Sequence, residues 1–134
     1  MTQRIQAATA EKTAHLSEPA LRAFFRIAEA WQLSVDQQLI LLGSPARATF
    51  FRWKGGNKAV LSRDTLDRIS YILGIYKALQ ILLPNPEAAD GWIKRPNTAP
   101  LFGGHSALNR MLGGQMEDLF IVRRYLDAER GGWP

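Results

Sequence analysis

Apolar residues recur along most of this chain at intervals of three and four, the spacing of one face of an α-helix. The alternation typical of strands is nearly absent, and serines suited to capping helix starts recur between the apolar stretches. The pattern therefore predicts an all-α fold made of several helices, most of them ended by glycine or proline.

The first predicted helix lies before residue 32. It opens with Ser17 and Pro19 and carries an apolar stripe that ends at Trp31. The pattern leaves open whether residues 1–14 extend this helix or stay mobile. One face of the helix is expected to lie in the core.

Two short helices follow in close succession. The first begins at Ser34, within a capping box, and ends before Gly43, a residue suited to a left-handed helix end. The second is predicted to have Ser44 as its cap and Pro45 at its first position, and to stop at Gly55. Two short helices joined by so tight a turn are typical of a helix-turn-helix.

A long helix is predicted to join the two halves of the chain, beginning at Ser62 and ending before Pro84, with Gly74 as a point where it bends. The elements predicted beyond it are, in order, a short helix over 88–92, an irregular connector over 94–100, a helix capped by Ser106, a last helix over 117–129 and a tail over 130–134.

The composition favours a binding protein over an enzyme. The 134 residues, 46% of them hydrophobic, fit two small helical halves that share one core. The chain has no cysteine and two histidines, so we expect no metal site, no cofactor and no Cys-His nucleophile. It also lacks an apolar run of membrane-spanning length and a signal peptide, so we expect a cytoplasmic protein without a membrane partner.

The second short helix of the helix-turn-helix is the candidate DNA-binding element. The net charge is +5, and no acid occurs between Asp36 and Asp64. In a helix-turn-helix this helix enters the major groove, where its early residues read bases and flanking cations contact phosphates. Arg47 is therefore the predicted base contact, and helix-start amides near Ser44 are predicted to bind one phosphate. The predicted phosphate-binding side chains are Arg52, Lys54 and Lys58.

Alternatives remain open at two aromatic residues and for the helix as a whole. Any surface helix exposes a charged face, so these cations are also compatible with a purely structural helix. Phe51 lies on the outward face, where it either touches a thymine methyl or a sugar, or packs against another part of the chain. Trp133 follows two glycines, and is either part of a frayed end or an anchor completed by another chain.

The second half of the chain contains an ordered series of short motifs that resembles the Xre/MbcA/ParS antitoxin family. The first half is similar to that family's Xre-type helix-turn-helix through Ser44-Pro45, Thr49 and Arg52-Trp53. The resemblance runs from about Trp31 to Pro134. The motifs of the second half are Trp92-Ile93, Pro96-Asn97, Leu101-Phe102-Gly-Gly-His-Ser-Ala-Leu, Met111-Leu-Gly-Gly, Val122-Arg-Arg-Tyr-Leu-Asp-Ala and Arg130-Gly-Gly-Trp.

The resemblance implies an antitoxin of a type II toxin-antitoxin system that binds and neutralises a RES-domain toxin, an enzyme that degrades NAD. It implies that the C-terminal end covers the toxin's active-site cleft, and that the antitoxin forms a homodimer within a larger complex and represses its own operon. The NAD belongs to the toxin. The toxin contacts implied are Arg123, Arg130, Gly131, Gly132, Trp133 and Pro134, with Asn97 and Leu101 as lesser candidates.

The corresponding domain organisation is an N-terminal segment over 1–16, a helix-turn-helix domain over 17–83 and a toxin-binding domain over 84–134. The alternative function is that of a DNA-binding transcriptional regulator whose C-terminal half forms a dimer and has no toxin partner.

Overall fold

The structure is a computed structural model that describes the backbone of residues 2–131 and the side chains of residues 15–131. This part of the chain is helical and contains no β-strand, which confirms the all-α prediction, and none of its helices is long and apolar enough to cross a membrane. The helices are α1 (Thr2–Ala30), α2 (Val35–Leu41), α3 (Arg47–Lys54), α4 (Arg63–Leu82), α5 (Pro86–Gly91), a 3-10 turn (Trp92–Lys94), α6 (Ala107–Met111) and α7 (Met116–Arg130).

Helix α1 is longer than the sequence pattern predicted. It begins at Thr2, so Ser17 and Pro19 lie inside the helix and the prediction of a helix start there is wrong. Ser17 is fully buried, and its Oγ accepts a hydrogen bond of 2.9 Å from the backbone N–H of Leu61. The hydroxyl thus accepts a hydrogen bond from an amide 44 positions away, and local sequence cannot reveal this contact.

The turn between α2 and α3 differs from the prediction at two residues, Ser44 and Pro45. Helix α2 begins with the predicted capping box, in which Ser34 Oγ accepts from the N–H of Gln37 and the side chain of Gln37 accepts from the N–H of Ser34. Helix α3, however, has Ala46 as its N-cap and Arg47 as its first residue, so Pro45 lies before the helix and not at its first position. Ser44 has a left-handed φ of 61° and donates its N–H to the carbonyl of Leu39 at 2.8 Å, so it closes α2 and does not cap α3.

Helix α4 is the centre of the core because α1, α5 and α7 all pack against it. It starts at the predicted cap, Ser62, whose Oγ accepts from the N–H of Thr65 at 3.1 Å. Contact with several helices buries much of its circumference. Its buried residues are Thr65, Ile69, Ile72, Ile75, Ala78 and Leu79.

The core is continuous across both halves of the chain, from Phe24 and Phe50 to Met111 and Val122. Each large apolar side chain buried in this way stabilises the fold by about 1.5–3 kcal/mol relative to an exposed position.

The second half follows the predicted order of elements. Ser106 caps α6 by accepting from the N–H of Asn109 at 3.0 Å, and residues 95–105 form an irregular connector without a helix. Helix α7 continues through Arg130, which the sequence pattern had assigned to the tail, and Gly131 is its C-cap. The assignment of Arg130 to the tail is therefore wrong.

Candidate functional site

Helix α3 has one face in the core and one in solvent. Phe50 is fully buried, and Thr49 and Trp53 are half-buried. Helical spacing predicts that these three residues face the core. It also places Ala46 on the inward face, but Ala46 is exposed. The exposed residues within the helix are Arg47, Ala48, Phe51, Arg52 and Lys54.

The cations of this face differ in their partners. Arg47, the first residue of α3, forms an ion pair with Asp36 of α2, and both side chains are largely exposed. Arg52 Nη2 donates to Thr49 Oγ1 at 3.3 Å within the same helix. Lys54 and Lys58 are exposed and make no ion pair with the residues that the structure describes.

Carboxylates of neighbouring helices lie near α3, although α3 itself contains none. Asp36 reaches Arg47 from the neighbouring helix, and Glu18 and Glu29 of α1 line the same cleft as Lys54. The fold therefore places carboxylates at both ends of a helix that itself has none. Two arginines of α1 line the same cleft, so these carboxylates do not make the surroundings of Lys54 acidic.

Helix α7 ends in an exposed terminus. Leu126 is the last buried residue of α7, and the five residues from Asp127 to Gly131 are all exposed. The Asp127 carboxylate lies 3.5 Å from Arg123 Nε and 4.0 Å from Arg130 Nη1, so it pairs with both arginines. Three of the predicted toxin contacts lie outside the described residues, namely Gly132, Trp133 and Pro134.

Arg123 lies across α4. Its Nη1 donates to the carbonyl oxygen of Ser70 at 3.3 Å, and a methyl group added at Gly74 would collide with its guanidinium group. Gly74, considered above as a point of bending, thus allows Arg123 to approach the helix backbone. The Arg123 side chain is 36% exposed, which leaves part of it accessible to a partner.

Asn97 and Leu101, the lesser candidates for toxin contact, make contacts within the chain itself. Asn97 Oδ1 accepts from the N–H of Ala99 at 2.9 Å, and the backbone N–H of Asn97 donates to the carbonyl of His105 at 3.0 Å. Leu101 is half-buried against the core. Both residues therefore shape the connector between the 3-10 turn and α6.

Arg68 is the residue of greatest structural interest that sequence reasoning missed. Its Nε pairs with Asp64 Oδ2 at 2.9 Å and its Nη1 donates to the carbonyl of Gly114 at 3.1 Å, while its side chain is only 11% exposed. Gly43, left-handed at a φ of 92°, lies so close that an added methyl would be 3.0 Å from Arg68 Nε. The Arg68 side chain thus lies beside the turn of the helix-turn-helix, where glycine leaves room for it, and hydrogen-bonds the turn between α6 and α7.

These features define a two-part helical binding protein, with a helix-turn-helix in one half and an exposed helix terminus in the other. Residues 13–74 match the antitoxin Xre-like helix-turn-helix domain, and residues 78–132 match the antitoxin Xre/MbcA/ParS C-terminal toxin-binding domain. A protein of Sinorhizobium fredii (strain NBRC 101917 / NGR234), named uncharacterized protein y4oB, is 48% identical over 132 residues, which are 98% of this chain and 100% of the relative.

The chain therefore belongs to the Xre/MbcA/ParS antitoxin family, which confirms the resemblance drawn from its sequence. It is an antitoxin with a helix-turn-helix domain and a toxin-binding domain, and the second domain implies a toxin as partner. The matched domains are not those of enzyme families.

Proposed function

We propose that this antitoxin neutralises an NAD-degrading toxin of the RES-domain type by covering the toxin's active-site cleft with its C-terminal end. The antitoxin acts as a homodimer within the toxin-antitoxin complex. NAD is the substrate of the toxin, and we assign no cofactor to this chain. The residues that we assign to toxin binding are Arg123, Arg130, Gly131, Gly132, Trp133 and Pro134.

The proposal rests on the exposed run from Asp127 to Gly131 at the end of a toxin-binding domain. Because the last core residue is Leu126, the segment after it can enter a cleft without disturbing the core. Arginine and tryptophan, both present in this segment, are the side chains most enriched among residues that dominate binding energy at interfaces. Trp133 is therefore the expected anchor and Arg130 the expected polar contact.

The test is co-expression with the product of the neighbouring reading frame, where we expect a RES-domain toxin. The antitoxins compared are the full chain, a chain ending at Glu129 and the variant Trp133→Ala. We expect the shortened chain to lose protection, so that cellular NAD falls as it does with toxin alone. Loss of a dominant aromatic anchor weakens binding by about 2 kcal/mol or more, so Trp133→Ala should raise the Kd by about 30-fold or more.

A matched control is Lys77→Ala, which removes an exposed cation from α4 and leaves the end of α7 unchanged. It should protect cells as well as the full chain does. A shortened chain that binds the toxin in a pull-down but fails to protect would support cleft covering, whereas one that still protects would contradict it. Failure of the full chain to bind the toxin would favour the alternative of a regulator whose C-terminal half only forms a dimer.

We also propose that the antitoxin represses its own operon through α3. The support is the exposed cationic face that α3 presents as the second helix of a helix-turn-helix. Arg47 reads a base after leaving Asp36, and Ser44, exposed in the preceding turn, contributes a phosphate contact with the amides at the start of α3. The side chains that we assign to phosphates are Arg52, Lys54 and Lys58.

The test is binding to the DNA upstream of the gene over a series of salt concentrations. Arg52→Ala and Lys54→Ala should each weaken binding for all sequences and reduce the salt slope by about 1, because each removes one phosphate contact. Arg47→Ala should instead reduce the preference for the upstream sequence over unrelated DNA. A triple variant that binds as the unmodified chain does would exclude α3 as the DNA-binding element.

A further inference from the structure

Phe51 is a large apolar side chain exposed in the middle of the outward face of α3. It is 50% exposed, whereas the adjacent Phe50 is fully buried. The two rings meet edge to face with centroids 5.2 Å apart, and Phe50 in turn contacts Phe25 of α1 at 5.7 Å. Phe50, which is buried, and Phe25, which is partly buried, therefore support Phe51 from behind and leave its outer half in solvent.

The residues beside this ring favour a polyanion over an apolar protein surface. Arg47 precedes Phe51 by one helical turn, Arg52 follows it directly, and Lys54 lies three positions later on the same helix. Helix α3 contains no acid. An apolar protein partner would have to bury Arg52 and Lys54, which make no ion pair with the residues that the structure describes, and burial of an unpaired charge is energetically unfavourable. DNA instead presents phosphates on both sides of the major groove.

We infer that Phe51 determines sequence specificity by packing against the 5-methyl groups of thymines in the major groove. Within that groove the thymine methyl is an apolar group displayed on a base edge, and phenylalanine is one of the side chains that contact it. Phe51 is placed to make this contact because it lies on the outward face of the helix, supported by Phe50 and flanked by phosphate-binding cations. The inference rests on the proposed binding of operator DNA.

The test uses the DNA upstream of the gene, amplified once with thymidine and once with deoxyuridine triphosphate. Deoxyuridine keeps the base pairing and lacks only the methyl group. Burial of one methyl group changes affinity by about fourfold, so the unmodified chain should bind thymine DNA at least fourfold more tightly than uracil DNA. Phe51→Ala should bind both DNAs with the same, weakened affinity, and Phe51→Leu should recover part of the preference for thymine.

Phe120→Ala is the matched control, because Phe120 is 41% exposed on α7 and its removal should leave the thymine-to-uracil ratio unchanged. Equal binding of both DNAs by the unmodified chain would overturn the inference, as would a Phe51→Ala variant that retains the preference. The inference would also be overturned if Phe51→Ala bound both DNAs as the unmodified chain does but lost dimer or toxin binding, because Phe51 would then be a contact to protein. If the unmodified chain binds no upstream DNA, the proposed operon repression fails first, and the two failures are thus distinguishable.

Discussion

The contact between Arg123 and Gly74 can be tested by adding one methyl group to α4. In Gly74→Ala, the new methyl collides with the guanidinium of Arg123 and not with backbone. The side chain can swing away, so we expect the fold to persist while Arg123 loses its hydrogen bond to the carbonyl of Ser70. Two opposing effects on the free energy of unfolding then follow from one substitution.

The first effect is stabilising, because alanine in a helix interior is about 1 kcal/mol more favourable than glycine. The second is destabilising. A hydrogen bond to a charged group contributes about 1.5–3 kcal/mol. The bond from Arg123 to Ser70 is 3.3 Å long and the side chain is 36% exposed, so we place its contribution lower, at about 1 kcal/mol. Gly74→Ala alone should therefore change the stability by less than about 0.5 kcal/mol.

The assay is a double-mutant cycle by thermal or urea unfolding. In an Arg123→Ala background no guanidinium opposes the methyl group, so Gly74→Ala should stabilise the protein by about 1 kcal/mol, a rise in Tm of about 4 °C. The coupling between the two positions is then about 1 kcal/mol. If Gly74→Ala stabilised both backgrounds equally, Arg123 would not lie over Gly74, and its role in joining α7 to α4 would be refuted.

Three further substitutions test contacts made by polar side chains, each measured by thermal unfolding. Ser17→Ala should destabilise the protein by about 1–3 kcal/mol, because the buried N–H of Leu61 loses its acceptor, and an unchanged Tm would show that this amide finds another partner. Arg68→Met keeps the aliphatic stem but removes the bonds to Gly114 and Asp64, so a loss of about 1–2 kcal/mol is expected, and no loss would mean that these bonds are energetically neutral. Ser34→Ala removes an N-cap and should lower stability by about 1 kcal/mol, while the equivalent Ser34→Asn, which keeps a capping oxygen, should lower it much less.

Much of the helical framework is predictable from the sequence because its causes are local. The caps at Ser34, Ser62 and Ser106 each accept a hydrogen bond from an amide three positions later, within the range that a sequence pattern covers. The faces of α3 follow from helical spacing for the same reason. Ser44 and Ser17 show the limit of this reasoning, since a serine has the same local preferences whether it caps a helix, closes the preceding one or lies buried within one.

The candidate sites are less predictable because the partners of their charged residues lie far along the chain. Arg47 pairs with a carboxylate 11 positions away, the guanidinium of Arg68 reaches a carbonyl 46 positions away, and that of Arg123 reaches one 53 positions away. Each of these distances is bridged by the packing of helices, and the last two involve α4. Arg123, which is assigned to toxin binding, thus also helps to hold α7 on α4. A loss of DNA or toxin binding in a variant of Arg47 or Arg123 therefore has to be compared with its stability before it is attributed to a lost contact.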